Sequence, residues 1–164
     1  DWSSDVCSSD LQLVQPDIVQ IVKSTIEETG IDPHNLTLEV TESLAINDMN
    51  KMKEVLAAIK GIGCRIALDD FGTGYSSLNH IRELPIDVIK VDQSFVRELA
   101  GDSYSQAFVR YISQLASMIG MSICVEGIET VEQFNVLSDM DVRMVQGFYF
   151  DRPLPKDKFE EKYL

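Results

Sequence analysis

Residues 65–74 read Arg65-Ile66-Ala67-Leu68-Asp69-Asp70-Phe71-Gly72-Thr73-Gly74. Arg65–Asp69 reads as a short strand that ends in carboxylates and runs into a glycine-bearing loop. The same pattern recurs on both sides. Leu36–Thr41 alternates with period two. Asp87–Asp92, Ser122–Glu126 and the segment opening at Met144-Val145-Gln146 are further strands. Helices are predicted between them. The first starts at Pro16, with Ile18, Ile21, Val22 and Ile26 on one face, and stops at Gly30. The second carries Met52, Val55, Leu56 and Ile59. A glycine loop and a short helix precede Asp87. A long helix spans Tyr104 to Ile119, with Phe108, Tyr111, Ile112, Leu115 and Ile119 inward. Thr130 and Gln133 form a capping box for a helix carrying Phe134 and Leu137, and Lys156 to Tyr163 is a closing helix. This βα alternation implies parallel strands in one α/β domain. An open doubly wound sheet and a barrel both fit it. Polar residues recur at the strand ends: Glu39, Asp69, Lys90, Glu126 and Gln146. Such ends converge on one face only in a barrel, which favours a TIM-like (βα)8 barrel. Five βα units are visible, so its N-terminal strands are expected upstream.

The chain of 164 residues is 45% apolar and 25% charged, an ordinary composition with material for a core. Its net charge of -13 makes it a poor binder of nucleic-acid polymers, which need Lys and Arg against phosphate. A small anionic substrate is compatible if metal cations supply positive charge. No run is long and apolar enough to span a bilayer. Cys7, Cys64 and Cys124 show no CxxC spacing, and so sparse a count points to a reducing, cytoplasmic setting. Residues 1–10, DWSSDVCSSD, hold the only tryptophan and have no periodicity. They resemble a translated sequencing adapter and are set apart from the domain, residues 11–164.

Glu39, Asp69, Asp70 and Glu126 at strand ends repel one another unless a cation lies between them. Oxygen-rich acidic donors suit Mg²⁺ or Mn²⁺. Adjacent Asp69 and Asp70 face one site only where the strand breaks, and Phe71-Gly72-Thr73-Gly74 supplies that break. A shared carboxylate can then bridge two metals of the kind used in phosphoester cleavage. The alternative is a ring of salt bridges at a barrel mouth. Lys90 is either a snorkelling surface lysine or a cation that holds water and balances phosphate charge. Asp92 lies two residues on and is expected to pair with Lys90. Gln146-Gly147 reads as a polar contact with a close backbone approach, or as a bulge. His34 and His80 have no metal-ligand partners nearby and are given no role.

The strings LEVTES (38–43), DDFGTGYSSL (69–78), IKVDQSFV (89–96), VEGIET (125–130) and QGFYFDRPLP (146–155) resemble the EAL-domain family of cyclic-di-GMP phosphodiesterases. The resemblance runs from about Leu11 to the C-terminus. It implies a TIM-like barrel and hydrolysis of cyclic di-GMP to linear pGpG with two Mg²⁺ or Mn²⁺ ions. Glu39, Asp69, Asp70 and Glu126 become metal ligands, with Asp69 as bridge. Lys90 contacts the attacking water or the scissile phosphate. Glu42 anchors the loop Phe71–Leu78 through its Thr or Ser residues, Thr73 among them, and that loop joins a homodimer interface. Glu129 and Gln146 support the site and the water. The mechanism implied is in-line attack by a metal-activated hydroxide.

The signature Glu-Ala-Leu strand, the Asn ligand of the next strand and the arginine after the signature are not in the chain. By spacing, the Asn falls near Cys7. A truncated domain of an active parent is therefore expected, the chain alone being inactive and the parent free to carry a membrane tether upstream. The competing reading is a catalytically silent domain that binds the nucleotide or a partner protein.

Overall fold

The computed structural model describes residue 15 and residues 17–43, 49–72 and 81–164. Residues 1–14, Pro16, 44–48 and 73–80 lie outside the described residues. With them go the adapter-like segment, Pro16 as helix start, Thr73 and the rest of the glycine loop, the short helix after it, and His80.

Five parallel strands form one sheet in the order β1-β2-β3-β4-β5: β1 Thr37–Thr41, β2 Arg65–Phe71, β3 Val88–Val91, β4 Ser122–Val125 and β5 Met144–Val145. Each new strand adds beside the last. A doubly wound sheet reverses its order at a switch point; this one winds onward, as a barrel wall does. The helices are α1 Ile18–Thr29, α2 Met49–Ile62, α3 Ser103–Met118, α4 Val131–Ser138 and α5 Lys156–Tyr163.

Alternation along the strands divides the side chains between two cores. Val40, Ile66, Leu68, Ile89, Val91, Ile123 and Val125 belong to the main cluster with Met52, Leu56 and Ile59 of α2 and Val109, Ile112 and Ala116 of α3. Full burial of each such aliphatic side chain is worth about 1.5–3 kcal/mol. The opposite face carries a smaller layer, Ala67, Val88 and Cys124 with Met144 against them. That layer floors the site described below.

Two inward assignments need correcting. Tyr111 is 56% exposed and Ile21 43% exposed. On α3 the buried stripe runs through Ser105, Val109, Ile112, Ser113 and Ala116, and Tyr111 is off that stripe. On α1 it narrows to Ile18 and Val22. An apolar residue near a stripe is not held in it when the neighbouring element covers only one width of helix. The capping box at Thr130 and Gln133 is fully formed.

Candidate active site

Lys90 projects from β3 on the inner face, beside Cys124 in the register and above the Ala67–Val88–Cys124 layer. Its side chain is 8% exposed, so it does not snorkel. Three carboxylates, from β1, from β2 and from just past β4, meet its ammonium: Glu39 Oε1 at 2.8 Å, Asp69 Oδ1 at 3.0 Å and Glu126 Oε1 at 2.8 Å. The ammonium hydrogen-bonds Glu126 and Glu39 and forms an ion pair with Asp69. Burial pushes Lys90 toward neutrality, but the hydrogen bonds to Glu126 and Glu39 and the charges of Glu126 and Asp69 outweigh it, so its pKa stands above the ordinary lysine value. Burial raises the Glu126 carboxyl, against the pull of Lys90 and with the help of Asp69 and Glu39. Beneath them, burial first and then Glu126 push the Cys124 thiol up to about 11, so it remains a neutral wall of the site.

Glu39 is not at a strand end. It lies in the middle of β1, where Thr41 rather than Glu39 stands opposite Asp69. Its longer side chain reaches Lys90 from one step lower, and it stays 47% exposed.

The strand break also lies elsewhere than expected. β2 continues through Phe71, and its register against β3 shifts between Leu68 and Phe71. Leu68 pairs with Ile89 and Phe71 with Val91, so Asp69 and Asp70 together face the single residue Lys90. This is a bulge. Asp70 takes the left-handed conformation, φ 56°, which Asp tolerates better than most side chains. Its N–H donates to Asp69 Oδ1 at 3.0 Å. Asp70 is half-buried beside the cluster, while the carboxylates on the Lys90 ammonium are Glu39, Asp69 and Glu126.

Glu42 is buried, and its Oε2 accepts the Gly72 N–H at 3.1 Å at the start of the glycine loop. The anchor among the described residues is thus a backbone amide; Thr73 falls outside them. Gly72 also packs on Phe95 and Phe108, whose rings stack at 4.0 Å. Gln146 Nε2 donates to Glu126 Oε1 and so steadies it. Gly147 follows because a Cβ there would come 2.2 Å from the Ile128 carbonyl oxygen. Glu129 is exposed, and its backbone N–H donates to Gln133 Oε1 at 2.8 Å. Asp92 does not pair with Lys90 as expected. The chain leaves the sheet at Val91, and the Asp92 carboxylate accepts the Ser94 N–H at 2.9 Å, capping a 3-10 turn over Gln93–Phe95. His34 bonds Asp32 in an exposed turn.

Among the described residues no group of three or more His, Cys, Asp or Glu side chains is arranged to hold a metal ion by itself. The ammonium occupies the point on which Glu39, Asp69 and Glu126 converge. A buried cation already sits among three hard oxygen donors, so the donor chemistry fits Mg²⁺ or Mn²⁺.

A model of the EAL domain matches residues 6–153. The chain belongs to the EAL domain family. Its EAL match begins inside the 1–10 segment. The bifunctional diguanylate cyclase/cyclic di-GMP phosphodiesterase MucR of Pseudomonas aeruginosa is 37% identical over 158 residues, 96% of this chain and 23% of that protein. The solved PaMucR phosphodiesterase, in complex with c-di-GMP, matches with TM-score 0.87 at 36% identity, covering 92% of this chain and 61% of that one. BlrP1 of Klebsiella pneumoniae, solved with manganese and cyclic di-GMP, matches with TM-score 0.80 at 33% identity over 87% of this chain and 36% of that one. The EAL chain spans 21% to 23% of the length of curated relatives such as these. Among the described residues no helix is long and apolar enough to cross a membrane.

Gln93, Gly127 and the far end of Gln133 were not singled out from sequence. They meet only through the fold, and the one local signal was the capping-box half of Gln133.

Proposed function

We propose that the protein to which this chain belongs hydrolyses cyclic di-GMP to linear pGpG with two Mg²⁺ or Mn²⁺ ions. The observation that carries this is the convergence of Glu39, Asp69 and Glu126 on the buried Lys90 ammonium. Three carboxylates around one ammonium leave two negative charges in excess. With Asp70 and one phosphodiester the excess is four, the charge of two divalent cations. The relatives named above for this activity, or solved with cyclic di-GMP, support the substrate.

When bound, the ions supply a nucleophilic water at neutral pH and stabilise the leaving oxygen. Glu39, Asp69, Asp70 and Glu126 would hold them, with Asp69 shared. Lys90 keeps the carboxylates gathered and offers a fixed positive charge to the scissile phosphate. Gln146 fixes the Glu126 carboxylate, and Glu42 fixes the start of the loop after the two aspartates. Water adds to phosphorus, one P–O ester bond breaks, and the leaving ribose oxygen takes the proton. Glu129 lends its backbone to the loop behind Glu126, and Asp92 ends β3 cleanly after Lys90.

We further infer that residues 11–164 are part of the EAL domain and that residues 1–10 are foreign to it. A cytoplasmic location and a homodimer complete the reading. The genomic sequence upstream of Leu11 tests the boundary, and sedimentation of the intact protein tests the dimer. The activity test is Mg²⁺-dependent pGpG production by the domain with its upstream strands in place. Loss of product with EDTA and in Glu39→Ala is expected. Undiminished turnover in that variant overturns the assignment.

A further inference from the structure

Gln133 is 6% exposed, and both ends of its side-chain amide are occupied. Its Oε1 accepts the N–H groups of Glu129 at 2.8 Å and Thr130 at 3.0 Å. Its Nε2 donates to the Val96 carbonyl at 2.9 Å and approaches the Arg97 carbonyl at 3.5 Å. The bond from Thr130 is half of the capping box of α4, and the bond from Glu129 extends it one residue back toward Glu126. The second pair belongs to another part of the chain, the segment just after the 3-10 turn that follows β3. One amide therefore ties the loop leaving β4, which begins with Glu126, to the turn leaving β3, which carries Lys90.

A second contact lies along the same seam. Gly127 packs so closely on Gln93 that an added Cβ would come 2.6 Å from the Gln93 Cβ. The Glu126 N–H donates to the Val91 carbonyl at 3.2 Å, the long end of the ordinary range, so Glu126 is also joined to the end of β3 through its backbone.

We infer that Gln133 is a positioning residue, a strut that sets Glu126 against Lys90 and so fixes the spacing of the carboxylate cluster. The inference rests on the metal-binding reading above. The amide is needed because one end must accept and the other donate. Glutamate at this position keeps the accepting end, and with it the capping box, but places an oxygen against the Val96 carbonyl. Gln133→Glu therefore cuts the strut and spares the cap. Thr130→Ala does the opposite: it removes the hydroxyl that accepts the Gln133 N–H and leaves the strut.

The test compares the domain, its upstream strands in place, with these two variants by hydrogen exchange of the Glu126 amide, without metal, and by Mn²⁺ affinity from the free-ion electron paramagnetic resonance signal. Gln133→Glu is expected to speed that exchange about tenfold and to weaken Mn²⁺ binding about tenfold, the low end of the loss seen when supporting partners of metal ligands are removed. The added negative charge alone attracts Mn²⁺, so weaker binding is not a charge effect. Thr130→Ala should change neither. The strut is overturned if Gln133→Glu matches the parent in exchange, or if Thr130→Ala reproduces its effects. If the parent chain binds no Mn²⁺, the metal reading fails and the exchange comparison alone decides the strut. Should Gln133→Glu not fold, Gly127→Ala disturbs the same seam from the other side. Parent-like exchange at Glu126 in that variant rejects the inference.

Discussion

The two ends of β3 each bring a lysine to a carboxylate, in opposite balance. At the entry end, Asp87 meets Lys60 from the last turn of α2, and its second oxygen accepts the Ile66 N–H at 2.8 Å. Its backbone bonds Ile66 and Ser122 on the flanking strands. One positive charge meets one negative charge, and the contact clamps β2, β3 and β4. At the exit end, one lysine faces three carboxylates. The entry end is built to hold the fold together, and the exit end gathers negative charge in excess of its one lysine. In a barrel this is the expected division between a stabilising and a reacting face.

Replacing Lys90 breaks the comparison most severely. Lys90→Ala leaves three crowded carboxylates uncompensated and should cost about 3 kcal/mol of metal-free stability in a denaturant melt. Turnover in the intact domain should fall by about 10²–10³-fold, and Mn²⁺ should restore part of the lost stability. A variant as stable and active as the parent would mean that Lys90 is a bystander.

Asp87→Ala comes next. It leaves the Ile66 N–H and the Lys60 ammonium without this partner and should cost about 1–3 kcal/mol, with Mn²⁺ affinity unchanged. Altered affinity would show that the two ends are not separable.

Glu126→Gln should do the reverse. Burial already raises the Glu126 carboxyl, against Lys90, so a neutral amide there should leave metal-free stability at neutral pH no lower than the parent's. Mn²⁺ binding should weaken by about tenfold or more. A large loss of stability with intact binding would invert the assignment.

The smallest effect belongs to a third lysine–carboxylate contact, at the surface. Asp151 accepts hydrogen bonds from Lys162 and Tyr163 and holds α5, none of whose residues is buried. Lys162 first, then Tyr163, keep the Asp151 carboxyl below the ordinary aspartate range. A depressed folded-state pKa stabilises above the unfolded value, about 3.9, and the benefit is lost as pH falls through the folded one. Proteolysis or amide exchange of α5 should therefore quicken below about pH 3.9, and Asp151→Asn should lack that pH step.

The strands were legible because period-two alternation and short polar ends are local properties, and α5 was legible from its bounds alone. The convergence of acidic groups was legible because a barrel brings strand ends together wherever they lie in the chain. What escaped depends on register. The bulge that sets Asp69 and Asp70 against Lys90 is a mismatch between two strands, invisible in either one. Glu39 reads as a strand end until Thr41 is seen opposite Asp69. Asp92 shares the spacing of an inward residue, yet the strand ends before it. Asp87 with Lys60, and the donor end of Gln133, are contacts between distant segments that leave no mark on local pattern.

The most direct test is a Mn²⁺ titration of the domain with its upstream strands in place, followed by electron paramagnetic resonance, beside Asp69→Asn. Saturable binding in the parent, weakened about tenfold or more in the variant, is the expected result. No saturable binding in the parent, or equal binding in both, would contradict a metal site built on these carboxylates.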